Sequence, residues 1–253
     1  MAQSSLVLHA GAKPVTLEEL QGFCAPQPVG RWYPVSHARV VETVKTTLGE
    51  AGYEIRKEQF GVMRDGGRFF GTIDLGTPVG TGVTLAVGIR NSVDKSFPLG
   101  FCAGNRVFVC DNLAFRSDLL VRKKHTLNGE RNFVRSIASA VTSLTSFRDQ
   151  EADRIRRFMY QELSAELADA LILRAYERGI VGAHQLPKVI REWRNPAFEE
   201  FTPRTVWSLF NAFTAALRER AVQQPHSFAV ETMRLNALLE VRDAAEPQHT
   251  LAT

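Results

Sequence analysis

Cysteine is scarce in this chain. There are three, Cys24, Cys102 and Cys110, an odd number without a CxxC spacing. That excludes a disulfide framework and a paired-cysteine metal site, and it points to a reduced, cytoplasmic setting. Long apolar runs are also lacking. No stretch approaches the ~18 uninterrupted apolar residues that a transmembrane helix needs, so no membrane role is expected. The first residues, MAQSSLVLHAGAKP, lack the basic start and apolar centre of a signal peptide. Catalytic signatures are missing as well: there is no P-loop, no GxSxG and no HExxH. The six histidines are scattered, with no converging metal-ligand spacing. No metal and no cofactor is expected.

What remains is ample. The chain has 253 residues, 44% of them hydrophobic, enough to bury a core without cross-links. The pattern reads β first and α second, an α+β chain. After a Gly/Pro-punctuated start with a short helix near Leu17 to Phe23, Ser36 caps a helix running to about Glu50. Val40, Val41, Val44 and Leu48 form its apolar stripe. The period then changes from 3.6 to 2. Strands are expected at 53–63, 68–75, 82–92, 97–110 and 117–126, with RDGG (64–67) as a hairpin turn. Short strands at this spacing make an antiparallel β-meander.

From Asn128 the period becomes helical. A long helix is expected over Glu130 to Leu163, weakened between Arg148 and Arg154. Further helices follow at Ala165 to Arg178, at 185–193, after Thr202-Pro203, and from Ser227 to near Val241. The division is then an N-terminal extension (1–35), an α+β core with the long helix (36–163), a helical region packed on or beside it (164–242), and a flexible tail (243–253).

The net charge is only +4, but its distribution is uneven. From Val121 to Tyr160 nine basic residues face four acidic ones, so the rest of the chain is close to neutral. Such a local excess suits a polyanion; a solvated helix face is the alternative. In VRKKHTLNGERNFVR (121–135), strand alternation puts Arg122 and Lys124 on one face and Lys123 and His125 on the other. Arg131 and Arg135 follow one helical turn apart. These five cations make a candidate phosphate track, with Tyr53, Phe69 or Phe70 as stacking platforms if exposed.

GNRVFVCDNLAF (104–115) poses a different question. Cys110 is a possible nucleophile with His125 as its base. Alternation, however, places Cys110 with Arg106 and Phe108, and free cysteine is among the most buried residue types. A packed strand end is the stronger reading. Asp111-Asn112 is then a turn, since both side chains bond nearby backbone.

The longer stretch IRNSVDKSFPLGFCAGNRVFVCDNLAF (89–115) resembles the core of a phage/plasmid-like protein family of unknown function. The matching residues are Asn91-Ser92, Asp94 and the Val109-Cys110-Asp111-Asn112 corner. His125-Thr126 fits too, as does TVWSLFNAFT (205–214) with Trp207 and Asn211-Ala212. The resemblance runs from about Tyr53 to Leu217. One departure is Val93, where the family pattern often has histidine; chemistry resting on that histidine would be missing here. A β-meander followed by a long helix is also similar to the Rad-type single-strand annealing proteins of phages, which form rings and hold single-stranded DNA in a basic groove. By fold analogy this implies single-stranded DNA as partner and a homo-oligomeric ring.

The first expectation is therefore a mobile-element nucleic-acid-binding protein, annealing single strands in recombination, rather than an enzyme. Arg122, Lys123, Lys124, Arg131 and Arg135 would grip phosphates. The second is a protein-interaction module that modulates host defence or phage replication. It would show an exposed apolar patch built from Trp193, Phe198, Phe201, Trp207, Phe210 and Phe213. The third is an enzyme using Cys110 and His125.

Overall fold

The computed structural model describes residues 12–107, 112–223 and 225–240. Its centre is a six-stranded antiparallel sheet in strict chain order: β1 (Lys13–Val15), β2 (Ile55–Met63), β3 (Arg68–Gly80), β4 (Val83–Ser92), β5 (Leu99–Val107) and β6 (Asn112–Lys123). Two helices precede β2, namely α1 (Leu17–Gln21) and α2 (His37–Glu50). Six follow the sheet: α3 (Gly129–Thr142), α4 (Leu144–Tyr160), α5 (Ala165–Glu177), α6 (Leu186–Arg194), α7 (Val206–Gln223) and α8 (Pro225–Glu240). The fold is α+β, with the meander and the helical second half that the periodicity predicts.

Local chemistry explains most of the boundaries. The Ser36 hydroxyl accepts from the Arg39 backbone N–H at 3.3 Å, as a helix cap should. The RDGG hairpin turn forms, with Arg64, Asp65 and Gly66 all at positive φ (52°, 51° and 86°). Gly179, at φ 64°, stands where α5 stops. Other boundaries differ from the sequence reading. The long helix divides at Ser143 into α3 and α4, five residues before the polar interval begins. There Thr142 and Ser143 hydroxyls each donate to the carbonyl four residues back, contacts that compete with the helix ladder. The Thr202-Pro203 start gives way to Thr205, whose hydroxyl accepts from the Ser208 N–H at 3.3 Å. α8 begins at Pro225, two residues before Ser227.

Alternation divides the sheet cleanly. Odd-numbered positions of β3 and β4 (Phe69, Ile73, Val87, Ile89) and Phe101 of β5 are buried. On that face the Phe69 ring stacks on His37 of α2 at 5.4 Å, and Lys45 of α2 pairs with Glu58 of β2. Even-numbered positions carry mostly small or polar side chains, Thr72, Asp74, Thr84, Ala86, Gly88, Cys102, Gly104 and Arg106, with Phe70 as an exception. This face is buried too. Arg106, 1% exposed, reaches from β5 to Asp74 of β3 at 2.5 Å, and also donates to Thr72 at 3.1 Å and Gln59 at 3.2 Å. Burial pushes the Cys102 thiol up to about 12, which removes it as a nucleophile at neutral pH.

One apolar core runs through both halves of the chain. It absorbs the C-terminal aromatics. Trp193, Phe201, Trp207, Phe210 and Phe213 are all buried, and Phe198 is half-buried against them. The exposed apolar patch expected there is absent among the described residues. Phe69 and Phe70 are likewise core rather than stacking platforms.

Candidate nucleic-acid interface

The loop after β4 is built by the motif residues themselves. Asn91 is fully buried; its side-chain N–H groups donate to the Val35 carbonyl at 2.8 Å and to His37 Nδ1 at 3.0 Å. That fixes the His37 tautomer: Nδ1 accepts, and Nε2–H donates to the Gly66 carbonyl at 2.7 Å. The start of α2 is thereby tied to the hairpin turn. Ser92 closes the loop by donating to the Phe97 carbonyl at 2.8 Å and accepting from the Phe97 N–H at 3.0 Å. Asp94 accepts from the Ser96 N–H and from Arg68 at 3.1 Å. Burial raises its carboxyl, but the Ser96 bonds and the Arg68 charge outweigh that and hold it below the usual range. Lys95 is thus presented at the tip, with φ 65°.

A second wall comes from the end of β6. Arg122 pairs across to Gly100, which pairs in turn to Arg90. A Cβ at Gly100 would lie 2.7 Å from Arg90 Cγ, so glycine lets the Arg90 stem cross its neighbour toward Arg122. Burial, and then the Arg122 charge, hold Arg90 below its ordinary value. Two guanidinium groups are therefore held near each other, and the Arg90 group rests 5.0 Å from the Phe97 ring rather than on a carboxylate.

A third wall comes from the N-terminal extension. Val29 and Trp32 exchange backbone hydrogen bonds around Gly30 (φ 60°), forming a tight turn. The next residue, Tyr33, donates its N–H to the His125 carbonyl at 3.1 Å. The three walls enclose an open cavity of about 900 Å³. Its charged lining is Arg31, Lys95, Arg122 and Lys124, with no carboxylate among the lining residues. Trp32 and His125 line it as well; the Lys95 ammonium sits 4.9 Å from the Trp32 ring centre.

His125 is 6% exposed, and neither ring nitrogen has a hydrogen-bond partner. Burial holds its pKa down, opposed by the Phe97 carbonyl, which favours the proton without meeting hydrogen-bond geometry; the His37 charge lowers it further. Burial also lowers His37, against the pull of the Gly66 carbonyl and Asp94. The unfolded chain takes up these protons near pH ~6.5, the folded chain only at lower pH. Stability is therefore full above about pH 6.5 and falls as the pH drops toward the folded values. Urea midpoints measured from about pH 7.5 down to 5.5 should decline, and a His37→Gln, His125→Gln variant should show a shallower decline. A wild-type midpoint that stays flat across this window would contradict the assignment.

The expected phosphate track divides in the structure. Arg122 and Lys124 line the cavity. Lys123 points to the other face, half-buried and in register opposite Leu99. Arg131 and Arg135 are exposed on α3 and are not among the lining residues. Asn91, Ser92 and Asp94 do not line the cavity; Ser92 and Asp94 shape the loop whose residues 95–98 line it beside His125 and Thr126. Trp207 and Asn211 do not join them. Trp207 stacks on Phe210 at 5.6 Å, and the Asn211 side chain donates to the Trp207 carbonyl at 2.9 Å, inside α7. Cys110 and Asp111 lie outside the described residues, and Asn112 enters β6 opposite Val107. Sequence reasoning missed Arg31, Trp32 and Lys95. The one local signal was RWY at 31–33, cation and aromatics together.

Among the described residues, no group of three or more His, Cys, Asp or Glu side chains is placed to hold a metal ion. None of the described helices is long and apolar enough to cross a membrane. Fold and site together define an α+β protein whose meander carries a cationic cavity at one end. Over residues 28–239 the sequence matches a family described as a domain of unknown function, DUF932, and the chain belongs to that family. No curated protein and no solved structure matches it.

Proposed function

We propose that this chain binds single-stranded nucleic acid, with the cavity between residues 29–32, 95–98 and 122–126 as its principal contact. The observation that carries this reading is a lining of four cations without a carboxylate, set around a tryptophan. Like charges held together are costly until an anion arrives, and a strand supplies one at every phosphate. Base stacking on an aromatic ring is tolerant of sequence, which suits a protein acting on single strands of mobile-element DNA during annealing and recombination. Assembly into a ring belongs to the same proposal.

The test is binding of a labelled oligothymidine across a salt series. Affinity should fall steeply with salt, and Arg122→Ala with Lys124→Ala should lower the slope of log K against log salt by about 1.4, roughly 0.7 for each lost phosphate contact. Arg131→Ala with Arg135→Ala, on the exposed face of α3, should change affinity less. Absence of binding at low salt, or an unchanged slope in the cavity variant, would overturn the proposal.

A further inference from the structure

Two large aliphatic side chains stand in water at the rim of the cavity. Leu127 is 72% exposed and Val29 62%, the two highest values for such side chains among the described residues. Val29 is a lining residue, and Leu127 follows the lining residue Thr126. Turn positions are ordinarily taken by glycine, proline, asparagine, aspartate or serine, and an exposed aliphatic side chain there adds nothing to the core. We infer that Leu127 and Val29 are wedges: they enter between neighbouring bases of a bound single strand and hold those bases apart. This rests on the nucleic-acid reading above and extends it from the phosphates to the base stack.

Both side chains are carried on turns with fixed backbones. Leu127 lies in the turn Thr126–Gly129, closed by the Gly129 N–H donating to the Thr126 carbonyl at 2.7 Å. The Thr126 N–H donates in turn to the Lys124 carbonyl at 3.0 Å. Only glycine fits at 129, because a Cβ there would lie 2.3 Å from the Lys124 carbonyl oxygen. Val29 opens the other turn, closed by its two backbone bonds with Trp32 at 3.0 and 3.1 Å. The Tyr33 N–H to His125 carbonyl bond, 3.1 Å, ties the two turns together. An aliphatic side chain cannot hold a phosphate. Set beside Arg31, Arg122 and Lys124, which draw the backbone in, it meets the faces of the bases, the apolar part of a strand. Apolar side chains inserted at base steps unstack them in this way. Parting two bases costs stacking in a single strand, but stacking and pairing in a duplex, so a wedge favours single strands. Neither wedge carries charge, so its contribution is insensitive to salt, unlike that of the cations.

The experiment uses the full chain and single-stranded oligonucleotides with one 2-aminopurine between adenines, at a different position in each. This base is dim when stacked. A base resting on Trp32 stays dim, and a base parted from its neighbour by a wedge brightens. At least one position should brighten on binding to wild type and lose that gain in a Leu127→Ser, Val29→Ser variant. Single-strand affinity should fall about three- to tenfold per lost wedge, as for partial burial of one aliphatic side chain, with the slope of log K against log salt unchanged. The preference for single strand over duplex should shrink with it. Leu127→Met should keep both affinity and brightening. Leu173→Ser, on α5 at 56% exposure and outside the cavity lining, is the control and should change nothing. No brightening at any position, or an unchanged affinity in the double variant, would overturn the wedges and leave the phosphate contacts standing. Absence of oligonucleotide binding by wild type would remove both. Phosphatidylserine vesicles captured through Leu127, with oligonucleotide binding indifferent to it, would assign the turns to a membrane surface and overturn the wedges as well.

Discussion

Replacing Arg106 with leucine is expected to lower the unfolding free energy by about 3–5 kcal/mol, the usual cost of stranding one partner of a buried ion pair. Arg106 is 1% exposed, and it reaches from β5 across β4 to Asp74 and Thr72 of β3 and Gln59 of β2. Leucine fills part of the space but supplies none of the donors. Asp74, 4% exposed, would lose the cation that compensates its desolvation. A double variant, Arg106→Met with Asp74→Leu, should recover most of the loss, because apolar replacement of a whole buried pair is often neutral. Urea unfolding of the three proteins gives the comparison. A single variant within about 1 kcal/mol of wild type would show that the pair does not hold the even-numbered face together.

The second large effect is expected at Asn91. Asn91→Ala removes the donors for the Val35 carbonyl and for His37 Nδ1, both at hydrogen-bond distance now. Each buried acceptor left unmet costs about 1–3 kcal/mol. The consequence should reach beyond stability. With Asn91 gone, nothing holds the His37 tautomer from that side, and the tie from α2 to the hairpin turn weakens. Thermal unfolding reads the first effect. Nitrogen NMR of the imidazoles reads the second: His37 should keep a protonated Nε2, held by the Gly66 carbonyl, while its Nδ1 signal moves once the Asn91 donor is lost. Unchanged histidine signals would remove Asn91 from this positioning role.

Much of the scaffold was legible because its determinants are local. Ser36 caps within three residues of itself, RDGG makes its own turn, and the alternation of Phe69, Ile73, Val87 and Ile89 sets their face without reference to anything distant. β1 carried no such signal: three residues, Lys13-Pro14-Val15, form a strand only because β2 is there to pair with them. The aromatic density of α7 misled for a related reason. Reading Trp207, Phe210 and Phe213 as an exposed patch required a free face that the core does not leave: positions 206–214 are all buried, the polar Ser208, Asn211 and Thr214 included. At the cavity, alternation grouped Arg122 with Lys124 and set Lys123 apart, but it wrongly put His125 with Lys123: β6 ends at Lys123, the alternation stops there, and His125 lines the cavity with the other two. Lys95 carried no local signal, and RWY at 31–33 could not be tied to β6, because their relation to it is purely tertiary. The motif residues Asn91, Ser92 and Asp94 carried their meaning in contacts with Val35, His37, Phe97 and Arg68, which no spacing rule predicts.

The hydrogen bond from Tyr33 to the His125 carbonyl has a consequence for how the protein is made. It joins two points 92 residues apart, and five of the six strands, β2 to β6, lie between them. Each hairpin can form as soon as its second strand leaves the ribosome, since every strand pairs with its predecessor. The cavity cannot. Its first wall is synthesised at residues 29–32 and must wait for residues 122–126, so loop-closure entropy is paid across the full sheet before the last wall arrives. A nascent chain therefore carries most of its sheet before it carries this cavity, and it carries the cavity's last wall before the helices that complete the core.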